Sequence, residues 1–230
     1  MEISFRDRVS ITLRQNRWVI CAELLVVVAF LALELKDFPG IFFVFPFVWI
    51  SLWLRKIGWK GVGLRRPPSW VRTLVLATLT GIGLQLLAIW LIDPLLVQLT
   101  GQPFDMSDLR RVPGNMPNLI AYIIIGWLLG AFLEEMVFRG YMINRFVDLF
   151  GNKQIGLTVG ALVGSILFAI GHLNLGIASV VETFLFSLAY SALYLTAGRN
   201  LWLPIISHGI YNTTFFVLLY FGYTASWFIL

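Results

Sequence analysis

The chain has 230 residues, of which 59% are hydrophobic and only 13% charged, with a formal net charge of +5. An ordinary soluble domain carries roughly a quarter charged residues, so this composition excludes a soluble globular enzyme, a disordered chain and a disulfide-rich secreted module. The mean hydropathy of +0.84 and the recurring apolar stretches predict an all-α fold, a polytopic transmembrane helical bundle.

The first sixteen or so residues carry Arg6, Arg8, Arg14 and Arg17 between polar residues. They predict an interfacial arm. The long apolar run behind them lacks a small-residue cleavage site, so a cleavable signal is not indicated. Seven spans follow, at about Trp18 to Leu35, Pro39 to Leu54, Thr73 to Ile92, Leu119 to Ile143, Ile155 to His172, Ile177 to Ala197 and Leu201 to Gly222. An eighth would arise if the apolar tail from Tyr223 to Leu230 crossed again. The second is short and contains Pro46. Between the third and fourth lies a loop, Asp93 to Pro117, where Pro94, Pro103, Pro113 and Pro117 should break any long helix. No repeat or linker divides the chain, so residues 1–230 are predicted to form one membrane-embedded domain. Cys21 is the sole cysteine, which excludes an intrachain disulfide and a cysteine-based metal cage.

Basic residues set the orientation. With seven spans and the N-terminus inside, one side holds the four arm arginines, the cluster from Arg55 to Arg72, Arg139, Arg145, Lys153 and Arg199. The other holds Lys36, Arg110 and Arg111. This predicts a multi-pass protein of the cell inner membrane with a cytoplasmic N-terminus. The basic residues flank apolar segments, so membrane lipids, not nucleic acid, are the predicted partners.

Ionisable groups inside apolar spans are costly and mark function or buried pairing. Glu23 reads as an interfacial residue or a hydrogen-bond acceptor within the bundle, Glu182 as half of a buried pair with a proton-carrying or substrate-contacting role as the alternative, and Gln85 as interhelical glue. The fourth span is different, because it ends in Glu134-Glu135-Met-Val-Phe-Arg139. Glu135 and Arg139 are four residues apart and share a face, which predicts an ion pair. Glu134 lies about 100° around the helix, off that face. The chain has two histidines, both in apolar segments. His172 closes the fifth span, and His208 shares a face of the seventh with Asn212. A glutamate with a histidine can act as a general base with a water-positioning partner. A histidine with an asparagine can donate to an oxyanion. Glu134, His172 and His208 are also residue types that could ligate zinc, though no HExxH motif is present. Zinc is the one cofactor these residues suggest, and none is firmly indicated. A proton-coupled transporter could use the same groups as a relay, but matching broken helices in two halves are lacking.

At these residues the sequence resembles the CPBP family of intramembrane proteases, which includes the CAAX prenyl endopeptidases and the bacterial Abi proteins. The family pattern of EExxxR, FxxxH and HxxxN or HxxxD is matched in order by Glu134, Glu135 and Arg139, by Phe168 and His172, and by His208 and Asn212. The stretch from Arg199 to His208 also looks like the lead-in to the third motif. The resemblance covers residues 119–218. It implies a peptidase, of glutamic or metallo type, acting on lipidated or transmembrane peptides. In it Glu134 activates water, His172 helps bind that water, and His208 and Asn212 stabilise the oxyanion. Glu135, Arg139 and Phe168 are then supports. The alternative is a non-catalytic scaffold or bacteriocin-immunity protein that keeps the same fold.

Threading the predicted spans raises a conflict of depth. Glu134 falls near the inner end of the fourth span, whereas His172 falls roughly 25 Å further out along the fifth. Two such residues could not share one water if both helices are regular and full-length. The motif therefore predicts that the fourth helix begins further out, that residues 140–155 fold back or that the fifth helix starts well into the cytoplasm, bringing His172 and Glu134 within reach of one water.

Overall fold

The computed structural model describes residues 4–33, 40–223 and 228–230. Lys36, the predicted span limits Leu35 and Pro39, and residues 224–227 of the tail lie outside them. The described chain is built from helices α1 (Phe5–Gln15), α2 (Arg17–Leu31), α3 (Ile41–Leu54), α4 (Gly58–Gly61), α5 (Trp70–Thr100), α6 (Met116–Phe150), α7 (Lys153–Ile170), α8 (Ile177–Thr196) and α9 (Trp202–Tyr220). Two short strands, β1 (Phe104–Asp105) and β2 (Phe228–Ile229), pair in parallel.

Five helices, α5 to α9, are long and apolar enough to cross a membrane. The predicted first and second spans appear as α2 and α3, of 15 and 14 residues, below the usual spanning length. Trp18, Leu79, Trp90, Leu99 and Leu128 are exposed on the surface. Water would penalise such a surface, and lipid tails would cover it.

The helix limits follow local chemistry. Ser69, Asn115 and Asn152 accept backbone N–H groups at the starts of α5, α6 and α7, and Gly101 and Gly151 end α5 and α6 in left-handed conformation. The predicted break at Pro94 does not occur. α5 runs through it for 31 residues, because a π-helical turn at Ala88–Ile92 precedes the proline. Pro117 sits in the first turn of α6, where its missing N–H is harmless.

The 35-residue α6 corrects the depth conflict. Arg139 and Arg145, counted above among the charges flanking the membrane, are completely buried within this helix. α6 therefore does not stop at Ile143 but continues to Phe150 and turns at Gly151 into α7. Three glycines at every fourth position of α7 let the two helices approach closely. Gly160 packs on the Ile143 backbone, Gly156 on Val147 and Gly164 near the Phe138 carbonyl. In this hairpin Glu134 stands about 24 Å from the Phe150 end, and His172 about 28 Å from the Lys153 start, so the two are level. Glu134 is thus remote from the basic end of its helix, not beside it.

The connections sort to two ends. At one end, Ser10 and Arg14 of the arm donate to the Arg55 carbonyl, and Arg6 donates to the Trp53 carbonyl while lying 4.2 Å over the Trp53 ring. The arm is clamped on the carbonyl terminus of α3, where cations are favoured. The 55–72 segment meets the α8–α9 turn there through Leu201 N–H to Gly63 O and Asn200 to Arg65 O. Gly63 has φ +116°, and a Cβ on it would strike the Arg199 carbonyl. At the opposite end, Met106 N–H bonds Ile229 O and Gly114 N–H bonds Tyr220 O.

Candidate active site

The fourth-span motif sits where α6 is irregular. π-helical turns cover Gly126–Leu133 and Met136–Met142, and only Glu134 and Glu135 between them keep α-helical turns. Such bulges widen the helix and re-aim side chains, and they are frequent at functional sites.

Glu135 is fully buried. Its Oε1 accepts from Arg139 Nη1 and from His208 Nδ1, both at 3.0 Å. Arg139 is held on its other side by Ser187, whose carbonyl and hydroxyl accept from Nη2 at 2.9 and 2.6 Å. The guanidinium lies 5.1 Å over the Phe168 ring and 5.7 Å over the Tyr190 ring. The i, i+4 spacing makes the Glu135–Arg139 pair legible in sequence. The Glu135–His208 bond joins residues 73 positions apart, and no local signal announces it.

His208 is clamped a second time. Its ring stacks on Tyr190 at 4.8 Å and meets the edge of Phe168 at 6.3 Å. Asn212, one turn on, donates from Nδ2 to the Gly126 carbonyl at 3.4 Å. A Cβ at Gly130 would lie 3.0 Å from the same amide, so that glycine makes room for Asn212. Gly209 does the same for Trp127, whose indole N–H donates to Thr213.

His172 lies just past α7. Its Nδ1 donates to the Phe168 carbonyl at 2.9 Å. A carbonyl can only accept, so Nδ1 carries the hydrogen and Nε2 of the neutral ring carries the lone pair. Phe168 thus supplies both the carbonyl that sets the tautomer and a ring 4.8 Å from the imidazole. That ring also packs on Phe138, Arg139 and His208. Spacing alone marks Phe168 as one turn before His172, but its contacts with three motifs are visible only in three dimensions.

Five of the seven motif residues, Glu134, Phe168, His172, His208 and Asn212, line two cavities that share a wall. One, of about 310 Å³, is lined by Glu134, Phe138, Phe168 and His172 with Leu31, Ile41 and Leu129. The other, of about 180 Å³, is lined by Phe168, His172, His208 and Asn212 with Tyr190, Glu182 and Tyr211. His172 faces both. Glu134 does not line the cavity of His208 and Asn212; Phe168, His172 and Leu175 line both cavities and stand between them.

Glu182 accepts from the Tyr211 hydroxyl at 2.7 Å. The buried Oε1 of Gln85 makes no hydrogen bond, so the interhelical glue expected of it is not formed through that atom. Glu23 lies at the far, basic end, where Arg145, Ser51 and Tyr141 donate to it. Among the described residues no three His, Cys, Asp or Glu side chains gather closely enough to hold a metal ion. His172 and His208 each commit Nδ1 to a protein partner, so any ligand of either ring would meet Nε2.

Residues 116–214 match the family model described as type II CAAX prenyl endopeptidase Rce1-like. The match spans all three motifs, so the segment that holds this site is similar to the type II CAAX prenyl endopeptidases. No curated protein and no solved structure matches the chain.

Proposed function

We propose that the chain is an intramembrane endopeptidase that hydrolyses lipidated or membrane-inserted peptides with a glutamate-activated water. The observation that carries this reading is the position of His172 on the wall shared by the Glu134 cavity and the His208–Asn212 cavity. One group there can touch the nucleophilic water and the other pair can touch the carbonyl it attacks.

The carboxylate of Glu134 takes a proton from water as the oxygen adds to the scissile carbonyl carbon. The lone pair of His172 Nε2 accepts the second hydrogen of that water and fixes its direction. The carbonyl oxygen becomes an oxyanion that meets His208 Nε2–H and Asn212 Nδ2–H. His208 makes this donation with a hydrogen on each ring nitrogen, Nδ1–H to Glu135 and Nε2–H to the oxyanion, and the bond to Glu135 fixes the direction of the ring. The intermediate collapses with cleavage of the C–N bond, and Glu134 passes its proton to the departing amine. Every step uses side chains of this chain.

We read residues 1–230 as one membrane-embedded domain of a cell inner membrane. The end bearing the arm, Lys56, Lys60, Arg65 and Arg66 faces the cytoplasm by the excess of basic residues there. The test is cleavage of a transmembrane or lipidated reporter by purified protein in lipid nanodiscs. Wild type should cut and Glu134→Gln should not. If neither protein cuts any reporter in a broad panel, the scaffold reading takes its place.

A further inference from the structure

The smaller cavity holds polar groups that the hydrolytic scheme leaves unused. Gln85 is 3% exposed and Tyr190 2% exposed. Both line this cavity, and Gln85 Oε1 and the Tyr190 hydroxyl have no hydrogen-bond partner. Glu182 lines it too, held from one side by Tyr211. Behind it stands Asp93, buried at 4% exposure, with Oδ1 unpartnered and close enough for the two carboxyls to interact. Among the described residues no lysine or arginine pairs with either acid, although Glu23, Glu135 and Asp148 each have an arginine. The site is rich in acceptors and short of positive charge, inside a bundle where unpaired acids are costly. A volume of about 180 Å³ is small for a whole organic ligand and suits a single side chain.

We propose that this cavity is a specificity subsite for one basic residue of the peptide substrate. The ammonium of a lysine or the guanidinium of an arginine sits among Glu182, the Gln85 amide oxygen and the Tyr190 hydroxyl, with Asp93 near Glu182. His172, His208 and Asn212 form another part of the same wall, so the basic residue directly flanks the bond that is cut. That placement rests on the catalytic reading above. Capture of the cation does not, because it needs no chemistry.

The experiment compares two fluorescent, capped, otherwise apolar peptides, one with a single lysine and one with norleucine in its place. Affinity is measured for the full chain carrying Glu134→Gln, with and without Glu182→Gln, and cleavage for the unaltered protein. The lysine peptide should bind about tenfold or more tightly, and Glu182→Gln should bring the two within about twofold. Equal affinity before Glu182 is altered would overturn the proposal and leave the acids as proton carriers. It needs no folded Glu182 variant. A lysine preference that survives Glu182→Gln would overturn it as well. Binding preference without any cleavage by the unaltered protein would sink the catalytic reading and leave the subsite standing.

Discussion

α6 buries two arginines completely, and their surroundings differ. Around Arg145 the contacts are closed. Glu23, Asp148 and the Leu13 carbonyl accept from it, Arg55 shares Asp148, and Ser51 and Tyr141 donate to Glu23. None of these residues lines a cavity described above, and together they tie α1, α2, α3 and α6 to one another. Around Arg139 the partners are Glu135 and Ser187, but the next contacts outward, His208, Phe168 and Tyr190, form cavity walls. Similar ion-pair chemistry thus braces helices in one place and stands behind a cavity in the other. A buried charge in a membrane helix signals function only when its partners open onto a cavity.

The largest effect that would break this comparison is on turnover. Glu134→Gln should lower kcat by about 10²–10⁴ with an unchanged melting temperature in detergent. Wild-type turnover by the purified variant would remove Glu134 from the chemistry. Arg145→Ala should do the reverse. Leaving Glu23 buried without its cation should cost about 3–5 kcal/mol, seen as a large drop in melting temperature, while kcat of the molecules still folded stays near wild type. If kcat falls and the melting temperature holds, the two clusters have been assigned the wrong way round.

Arg139→Ala sharpens the contrast because Arg139 touches both roles. It should lose stability on the same scale, about 3–5 kcal/mol, and also activity, since Glu135 then no longer holds His208 in place. Phe168→Leu should act more weakly on stability, about 1 kcal/mol, because volume is nearly kept. It should still reduce kcat, since the ring sets the packing of His172, Arg139 and His208. An unchanged kcat would show that the carbonyl alone positions His172.

The smallest effect concerns the arm. Hydrogen bonds from Lys56 and then from Ser4 hold the Asp7 carboxyl below its ordinary range. A carboxyl depressed in the folded state contributes stability above its unfolded pKa and loses it as pH falls through the folded value. Acidification below about pH 4 should therefore loosen α1, and Asp7→Asn should do so already at neutral pH. Amide exchange over residues 5–15 measures it. Equal exchange in both proteins would mean the arm is held by Arg6, Ser10 and Arg14 alone.

Much of this arrangement is legible in the chain because its decisive spacings are local. Glu135 with Arg139, Phe168 with His172 and His208 with Asn212 each lie one helical turn apart, so a face is fixed whatever the tertiary fold. The apolar lengths of α5 to α9 are legible for the same reason. The length of α6 is not. Arg139, Arg145 and Asp148 look like charges at a membrane edge, and their true partners Glu23, Arg55 and Ser187 are 48 to 122 positions away. Without those partners the helix ends too early, and Glu134 and His172 fall at different depths. The π-helical turns add a second obstacle. They shift the angular phase on both sides of Glu134, so a face computed at 100° per residue drifts beyond the motif.

The pairing of β2 with β1 gives the tail a mechanical link to the smaller cavity. Met106 bonds Ile229, Phe228 packs on both Phe104 and Phe215, and Met106 and Phe215 line the smaller cavity. A load applied at residues 228–230 is therefore transmitted to that wall within two side chains. An affinity handle fused there would perturb catalysis even though it lies far along the sequence from every motif. Conversely, an environment-sensitive dye attached at the tail would read occupancy of the cavity without touching any group in it.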